Sequence, residues 1–244
     1  MEVEVKNLSI NYQIKTLDGS FLRKNLIKKI FSKQKVNQDF WALKNISFKL
    51  NDGDRLGVVG TNGSGKSTLI KCLSGILTPI EGSKVNISGK FIPIIEPWAL
   101  FEITDSVVNN ILVTGLLLGF KKKYVLENVD NILNFSELTK YKDFQLSALS
   151  TGMKLRLIFA LVFLLKTDIF FIDEFLTAGD ERFRERSLSY LLKETEKKIT
   201  VICSHERSTI KSFCNKILVL NKGKQEFFGE IDEGFKVYDK LLND

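Results

Sequence analysis

Residues 60–68 read GTNGSGKST, between the apolar run RLGVV at 55–59 and the amphipathic run TLIKCLSGIL at 68–77. The pattern G-x-x-x-x-G-K-[ST] is a phosphate loop. Gly60, Gly63 and Gly65 let backbone N–H groups turn inward around phosphate oxygens, with Asn62 and Ser64 between them. The helix that follows, opening at Lys66, Ser67 and Thr68, adds its positive N-terminus. Lys66 is placed to reach the terminal phosphates of a nucleotide, and the Ser67 hydroxyl to ligate Mg²⁺. A second set of chemical groups closes the apolar run in DIFFIDEFL at 168–176. Asp173 is expected at the carboxyl end of that strand, beside the phosphate loop, where a Mg²⁺-associated acid belongs. Glu174 points differently and is suited to polarise an attacking water. His205, the one histidine, follows another apolar run in VICSHE at 201–206. Open α/β sheets bind ligands at that edge, and a neutral imidazole there would reach a terminal phosphate and the water.

These groups need elements to hold them. Strand-like runs occur at 2–10, 43–50, 55–59, 85–87, 91–95, 168–172, 199–203, 216–220 and 224–228. Helical periodicity occurs at about 65–77, 105–118, 123–134, 151–166, 181–197, 207–213 and 233–242. FFI at 170–172 and TVIC at 200–203 have the unbroken apolar character of buried parallel strands. Strand–helix alternation predicts an α/β domain with an inner parallel sheet. Residues 97–166 read almost entirely as helix, a subdomain inserted into that core. Pro79 is expected to end the helix that begins at 65.

Composition excludes several classes. Apolar residues make up 44% of the 244 residues, which argues against disorder. The longest apolar run, ILVTGLLLGF at 111–120, is too short to span a bilayer. Cys72, Cys203 and Cys214 show no CxxC or metal spacing and read as reduced thiols. The net charge of +7 has one main address. Residues 13–39 hold Lys15, Arg23, Lys24, Lys28, Lys29, Lys33 and Lys35 against Asp18 and Asp39. Within them SFLRKNLIKKIF at 20–31 places Leu22, Leu26, Ile27, Ile30 and Phe31 on one stripe and the cations elsewhere. That pattern predicts a basic amphipathic helix, suited to an anionic membrane surface or an acidic partner helix, or else packed on its own domain with a solvated basic face.

LSTGM at 149–153 is a second stretch fit to hold an anion, at a helix N-terminus far from the phosphate loop. By itself it reads as an ordinary cap, with Ser150 or Thr151 as N-cap. In this order the motifs resemble the nucleotide-binding subunit of ABC transporters, over nearly the whole chain. GTNGSGKST is similar to the Walker A loop, IFFIDE to Walker B, LTAGD at 176–180 to the D-loop, and His205 to the switch histidine. LSTGM matches the LSGGQ signature in position, with Thr151 and Met153 departing from it. The resemblance implies a P-loop NTPase core with an antiparallel β subdomain and an inserted helical subdomain. It also implies ATP and Mg²⁺ as ligands and a head-to-tail homodimer. Ser150 and Gly152 of one subunit would close on the γ-phosphate held by Lys66 of the other, and Asp180 would touch the partner's site. Glu96, in IPIIEPW, stands where many members place a glutamine near Mg²⁺. The family's adenine-stacking aromatic falls on Tyr12, with Trp41 as the rival.

The 13–39 insertion, FWALKNISF, LSTGMKLRL and DEFLTAGDERF resemble the ATPase subunits of bacterial polysaccharide exporters, for O-antigen and, in relatives, teichoic acid. That implies a motor on the cytoplasmic face of the inner membrane, peripheral, below two copies of a polytopic permease that moves a lipid-linked polysaccharide. The permease's coupling helix would dock around residues 96–110. The sequence closes at LLND after its last expected helix, so the carbohydrate-binding domain that some members carry there is not expected. Capsule, another lipid or a small molecule is the alternative cargo. A soluble ATPase acting on nucleic acid is the remaining reading; such proteins carry two ATPase cores or a long coiled-coil insertion, and neither is here, so nucleic acid is not expected as a partner.

Overall fold

The computed structural model describes residues 1–14, 38–95, 97–164, 167–173, 181–204 and 206–243. The helix expected at 20–31, Glu96, Glu174, Asp180 and His205 lie outside the described residues. Among the described residues nine strands form one sheet: β1 (Glu2–Ile14), β2 (Gln38–Asn51), β3 (Arg55–Gly60), β4 (Lys84–Ser88), β5 (Phe91–Ile94), β6 (Ile169–Asp173), β7 (Ile199–Cys203), β8 (Lys216–Asn221) and β9 (Lys224–Gly229). Their order is β4-β1-β2-β9-β8-β3-β7-β6-β5. Strands β8, β3, β7, β6 and β5 run parallel, whereas β4, β1 and β2 pair antiparallel. Strand β9 turns back on β8 and meets β2 at the Lys44–Lys224 pair, which joins the two halves.

The physics behind the two halves differs. Strands β3, β6, β7 and β8 are buried almost end to end because helices cover both faces, so they carry unbroken apolar runs. Strand β4 alternates exposed and half-buried residues, as a sheet with one wet face should. In β1 the alternation slips at Asn7, which has φ 52, so that Val3 and Val5 before it and Leu8 and Ile10 after it all reach the core. Strands β1 and β2 each run two residues into the basic segment, pairing as far as Ile14 with Gln38.

Among the described residues there are seven α-helices: α1 (Lys66–Leu73), α2 (Val107–Leu117), α3 (Lys122–Ser136), α4 (Thr151–Leu164), α5 (Glu181–Glu194), α6 (Arg207–Phe213) and α7 (Ile231–Asn243). Short 3₁₀ turns stand at Pro97–Leu100, Thr139–Tyr141 and Leu146–Ala148. Helix α1 ends well before Pro79. Gly75, at φ 72, closes it: Gly75 N–H donates to Cys72 O (3.1 Å) and Ile76 N–H to Lys71 O (2.9 Å). This paired return of N–H groups to the last carbonyls is what a left-handed glycine permits and a proline cannot supply.

Helices α2, α3 and α4 have their own core of Val107, Ile111, Val125, Ile132, Leu133 and Leu157, distinct from the cores on the two faces of the sheet. The three cysteines are buried and none is in a disulfide among the described residues, and burial pushes the Cys72 and Cys214 thiols up to about 12.

Candidate nucleotide site

The phosphate loop hangs between the end of β3 and the start of α1. A Cβ at Gly60 would lie 2.3 Å from Leu220 O and 2.4 Å from Ser64 Oγ. A Cβ at Gly65, which has φ 105, would lie 2.6 Å from Ala42 O. These glycines therefore let the loop lie flat on β8 and β2. Ser64 N–H donates to Thr61 O (3.1 Å), and Ser64 O accepts from Gly223 N–H (3.1 Å), which pins the loop to the β8–β9 turn.

Gly65 caps α1 without a side-chain hydrogen bond, and no acid stands in the first turn. The first N–H groups of α1 are thus left for a ligand, and the helix dipole makes that ligand an anion. Lys66 is buried, and its Nζ donates to Gly60 O (2.9 Å) and Thr61 O (3.2 Å), so the ammonium lies folded over the loop with one donor to spare. Ser64 Oγ is buried without a hydrogen-bond partner among the described residues. A buried orphan hydroxyl, an uncapped helix start and a held cation together fit a phosphate group.

A cavity of about 370 Å³ opens on this loop and is lined by Asn62, Gly63, Ser64, Gly65, Lys66, Ser67 and Thr68. Its other wall is Tyr12, Phe40 and Ala42. Tyr12 and Phe40 are direct partners across β1 and β2. Trp41, next along β2, does not line the cavity; Lys44 Nζ sits 5.4 Å from its ring centroid. Strand alternation accounts for the difference, since neighbours on a strand point to opposite faces. Tyr12 thus has a place in the pocket and its rival Trp41 does not. Phe40 was not among the sequence candidates, and only the pairing register reveals it.

Asp173 ends β6 half-buried. It is level with Cys203 on β7, which is level with Val58 on β3. One strand therefore stands between the acid and the phosphate-loop strand, and all three end at one edge of the sheet. Ser204, immediately before His205, donates its N–H to Val58 O (3.4 Å) at that edge. Among the described residues no group of three His, Cys, Asp or Glu side chains could hold a metal by itself. Ser67 and Asp173 suit Mg²⁺, which is ordinarily held by few protein groups together with water and phosphate oxygens.

Ser150 is the N-cap of α4: its Oγ accepts from Met153 N–H (3.2 Å) and its carbonyl from Lys154 N–H (3.0 Å). The segment before it is stitched to the start of α2. Val107 N–H donates to Phe144 O (3.0 Å), Leu146 N–H to Asp105 O (2.9 Å) and Ser147 N–H to Ile103 O (2.8 Å). None of residues 149–153 lines the phosphate-loop cavity. A Cβ at Gly152 would meet no atom within 4 Å, so nothing inside this chain requires a glycine there. Near residues 96–110 lies an apolar groove of about 320 Å³ between the end of α1, β5 and the end of α2, lined by Ile76, Pro93, Ile95, Ala99, Leu100 and Leu118. No helix among the described residues is long and apolar enough to cross a membrane.

Residues 43–177 match the ABC transporter family. Three curated relatives share one description, teichoic acids export ATP-binding protein TagH. That of Lactococcus lactis subsp. lactis is 33% identical over 242 residues, covering 99% of this chain and 52% of the relative. That of Bacillus anthracis is 36% identical, covering 88% and 39%. That of Staphylococcus saprophyticus is 32% identical, covering 98% and 90%. The chain thus spans about half or less of the first two relatives and most of the third. Among solved structures, an ATP-binding subunit of an ABC transporter superposes with a TM-score of 0.77 at 20% identity, covering 100% of this chain and 98% of that one. An ATP-binding cassette solved as a dimer in a post-hydrolysis state with ADP and Pi superposes with a TM-score of 0.74 at 19% identity, covering 94% and 98%.

Proposed function

The chain belongs to the ABC transporter family, whose ATP-binding subunits take ATP with Mg²⁺, and from that premise we propose that it is the ATP-hydrolysing motor of a polysaccharide exporter. The observation that carries this reading is the division of anion-binding groups in one chain. The phosphate loop and α1 serve one cavity, whereas Ser150 and Gly152 stand at the start of α4, which packs both in the helical core and against the sheet, and contribute nothing to that cavity. Two chains packed head to tail would complete both sites.

In that dimer Lys66 and the α1 N–H groups bind the β- and γ-phosphates, and Tyr12 and Phe40 receive the base. Ser67 and Asp173, with Glu96 as a further candidate, would hold Mg²⁺, which when bound offsets the negative charge of the phosphates. Glu174 orients and polarises the attacking water. His205 holds the γ-phosphate and that water in line. Ser150 and Gly152 of the partner subunit cover the γ-phosphate with N–H donors, and Asp180 reaches across the interface. Cleavage of the γ-phosphate removes the group that both chains share, so the dimer opens and chemistry becomes motion.

The motor is peripheral, on the cytoplasmic face of the cell membrane, under two copies of a polytopic permease. The apolar groove by Ile95 and Leu100 is a fitting seat for a permease helix. The cargo is a lipid-linked polysaccharide. Of the two cargoes raised by the sequence, O-antigen and teichoic acid, the shared description of the three relatives favours the teichoic acid type.

The test is a mild-detergent pulldown of the tagged chain from its native membranes. A stoichiometric polytopic membrane protein, with a phosphate-rich lipid-linked polymer that accumulates inside cells lacking the subunit, is the expected result. Recovery only in the soluble fraction with RNA or ribosomal proteins would overturn the exporter.

A further inference from the structure

Three helices from different parts of the chain meet on one carboxylate. Glu137 follows α3 with φ 61 and ψ 32, the left-handed region in which glycine usually closes a helix. The closure is complete: Glu137 N–H donates to Asn134 O (3.2 Å) and Leu138 N–H to Leu133 O (2.8 Å). A glycine would make the same turn without steric cost, so the side chain present has to be accounted for by what it touches. Its Oε2 accepts from Arg156 Nη1 on α4 at 2.5 Å, and its Oε1 accepts from Arg186 Nη1 on α5 at 2.9 Å.

Arg186 also donates to Phe135 O, among the last carbonyls of α3, where a cation complements the helix dipole. Beneath the ions lies a ring cluster from the same three helices. Phe135 stacks on Phe159 at 6.2 Å, and Phe183 stands edge-on to both, at 6.1 and 5.8 Å. The Arg186 guanidinium lies 5.0 Å from the Phe135 ring centroid and 5.4 Å from that of Phe183, and Arg156 lies 5.7 Å from Phe183. Glu137 and Arg186 keep more than 40% of their side-chain surface exposed, and ion pairs that open to water stabilise a fold only weakly. What one N–H from each of two arginines, one on each carboxylate oxygen, does supply is a directional meeting point for three helices.

We propose that Glu137 is a positioning residue that locks the N-terminus of α4, and with it Ser150 and Gly152, to α5, the helix that opens directly after residues 174–180. The helical subdomain then cannot rotate independently of the core helix that follows the acidic strand. The functional part of this inference rests on the shared nucleotide site proposed above.

Two variants separate the side chain from the turn: Glu137→Gly keeps the left-handed closure, and Glu137→Gln keeps the length without the charge. The first readout is amide hydrogen exchange of the single chain without nucleotide. Both variants should exchange at least five-fold faster at residues 149–154 while α2 is unchanged. The second readout is Mg·ATP-driven dimerisation in a Glu174→Gln background, which should weaken about ten-fold while a fluorescent ATP analogue binds the single chain within two-fold of the parent. Unchanged exchange at 149–154, or an equal rise through α2 and α4, would overturn the positioning role. A Glu174→Gln parent that stays monomeric in saturating Mg·ATP would instead overturn the shared site, and the exchange result would still decide the role of Glu137.

Discussion

Tyr12 and Phe40 face each other across β1 and β2, and both line the cavity floored by the phosphate loop. Both rings are well exposed in the single chain, Tyr12 at 39% and Phe40 at 50%. Large exposed aromatics beside an anion site are suited to a planar base. Stacking of a base on an aromatic contributes about 1–3 kcal/mol, judged by alanine substitution. Tyr12→Ala and Phe40→Ala should each weaken ATP binding by about ten-fold, and Trp41→Ala should leave it within two-fold. Titration with a fluorescent ATP analogue decides this. Equal effects at all three positions would mean that the hairpin, and not its pocket face, carries the contribution.

The same pair shows what was legible in the sequence. The buried strands were legible because burial on both faces demands unbroken apolar runs, and β3, β6, β7 and β8 have them. The phosphate loop was legible because its chemistry is local. Phe40 was not, because its role depends on which residue of β1 it opposes, a property of two segments far apart in the chain. The ends of β1 and β2 carry exposed aromatics, Tyr12, Phe40 and Trp41, outside the buried apolar runs, so both strands read shorter than they are. Pro79 is the expected end of α1, yet Gly75 closes it, because a left-handed glycine ends a helix by its own hydrogen bonds and a later proline only prevents its renewal. Asp173 was legible as a strand end, but its place relative to the loop required the order β3-β7-β6.

Acid should loosen the contact between α6 and α7. Asp239 on α7 accepts two hydrogen bonds from Arg207 on α6, and these foremost hold its carboxyl below its ordinary range. A carboxyl with a depressed folded-state pKa contributes stability that is fully present above its unfolded value, and loses it as pH falls through the folded value. The difference in urea unfolding between the parent and Asp239→Asn should therefore stay constant from pH 8 to 5 and shrink below about pH 4, where free Asp titrates. A difference that instead changes near pH 6–7 would exclude this pair as its source.

Gly63 and Gly65 lie two residues apart in the loop and should respond differently to alanine. Both have positive φ, 77 and 105, so each substitution carries a backbone cost of about 1–2 kcal/mol. At Gly63 a Cβ meets nothing within 4 Å. At Gly65 it also meets Ala42 O at 2.6 Å and Leu43 Cδ2 at 2.7 Å, so β2 has to move. Gly63→Ala should lower the melting temperature by roughly 2–8 °C, at about 2–4 °C per kcal/mol for a chain this size. Gly65→Ala should lower it clearly further and abolish nucleotide binding. Equal melting shifts would mean that the contact with β2 is relieved at no cost.

Gly152 offers the cleanest probe of the shared site. Ser150→Ala would remove the N-cap of α4 and cost about 1 kcal/mol of stability, so any loss of activity would be ambiguous. Gly152 is inside the first turn of α4, and a Cβ there meets no atom of its own chain within 4 Å. Alanine is the better helix former by up to about 1 kcal/mol, so Gly152→Ala should leave the melting temperature unchanged or slightly raised. In a dimer the added methyl would stand where the partner's γ-phosphate approaches the helix start. Binding of a fluorescent ATP analogue to the single chain should be unaffected, whereas Mg·ATP-driven dimerisation and ATP hydrolysis should each fall at least ten-fold. A variant that is stable, binds nucleotide and hydrolyses at the parental rate would show that residues 149–153 are a helix cap and nothing more.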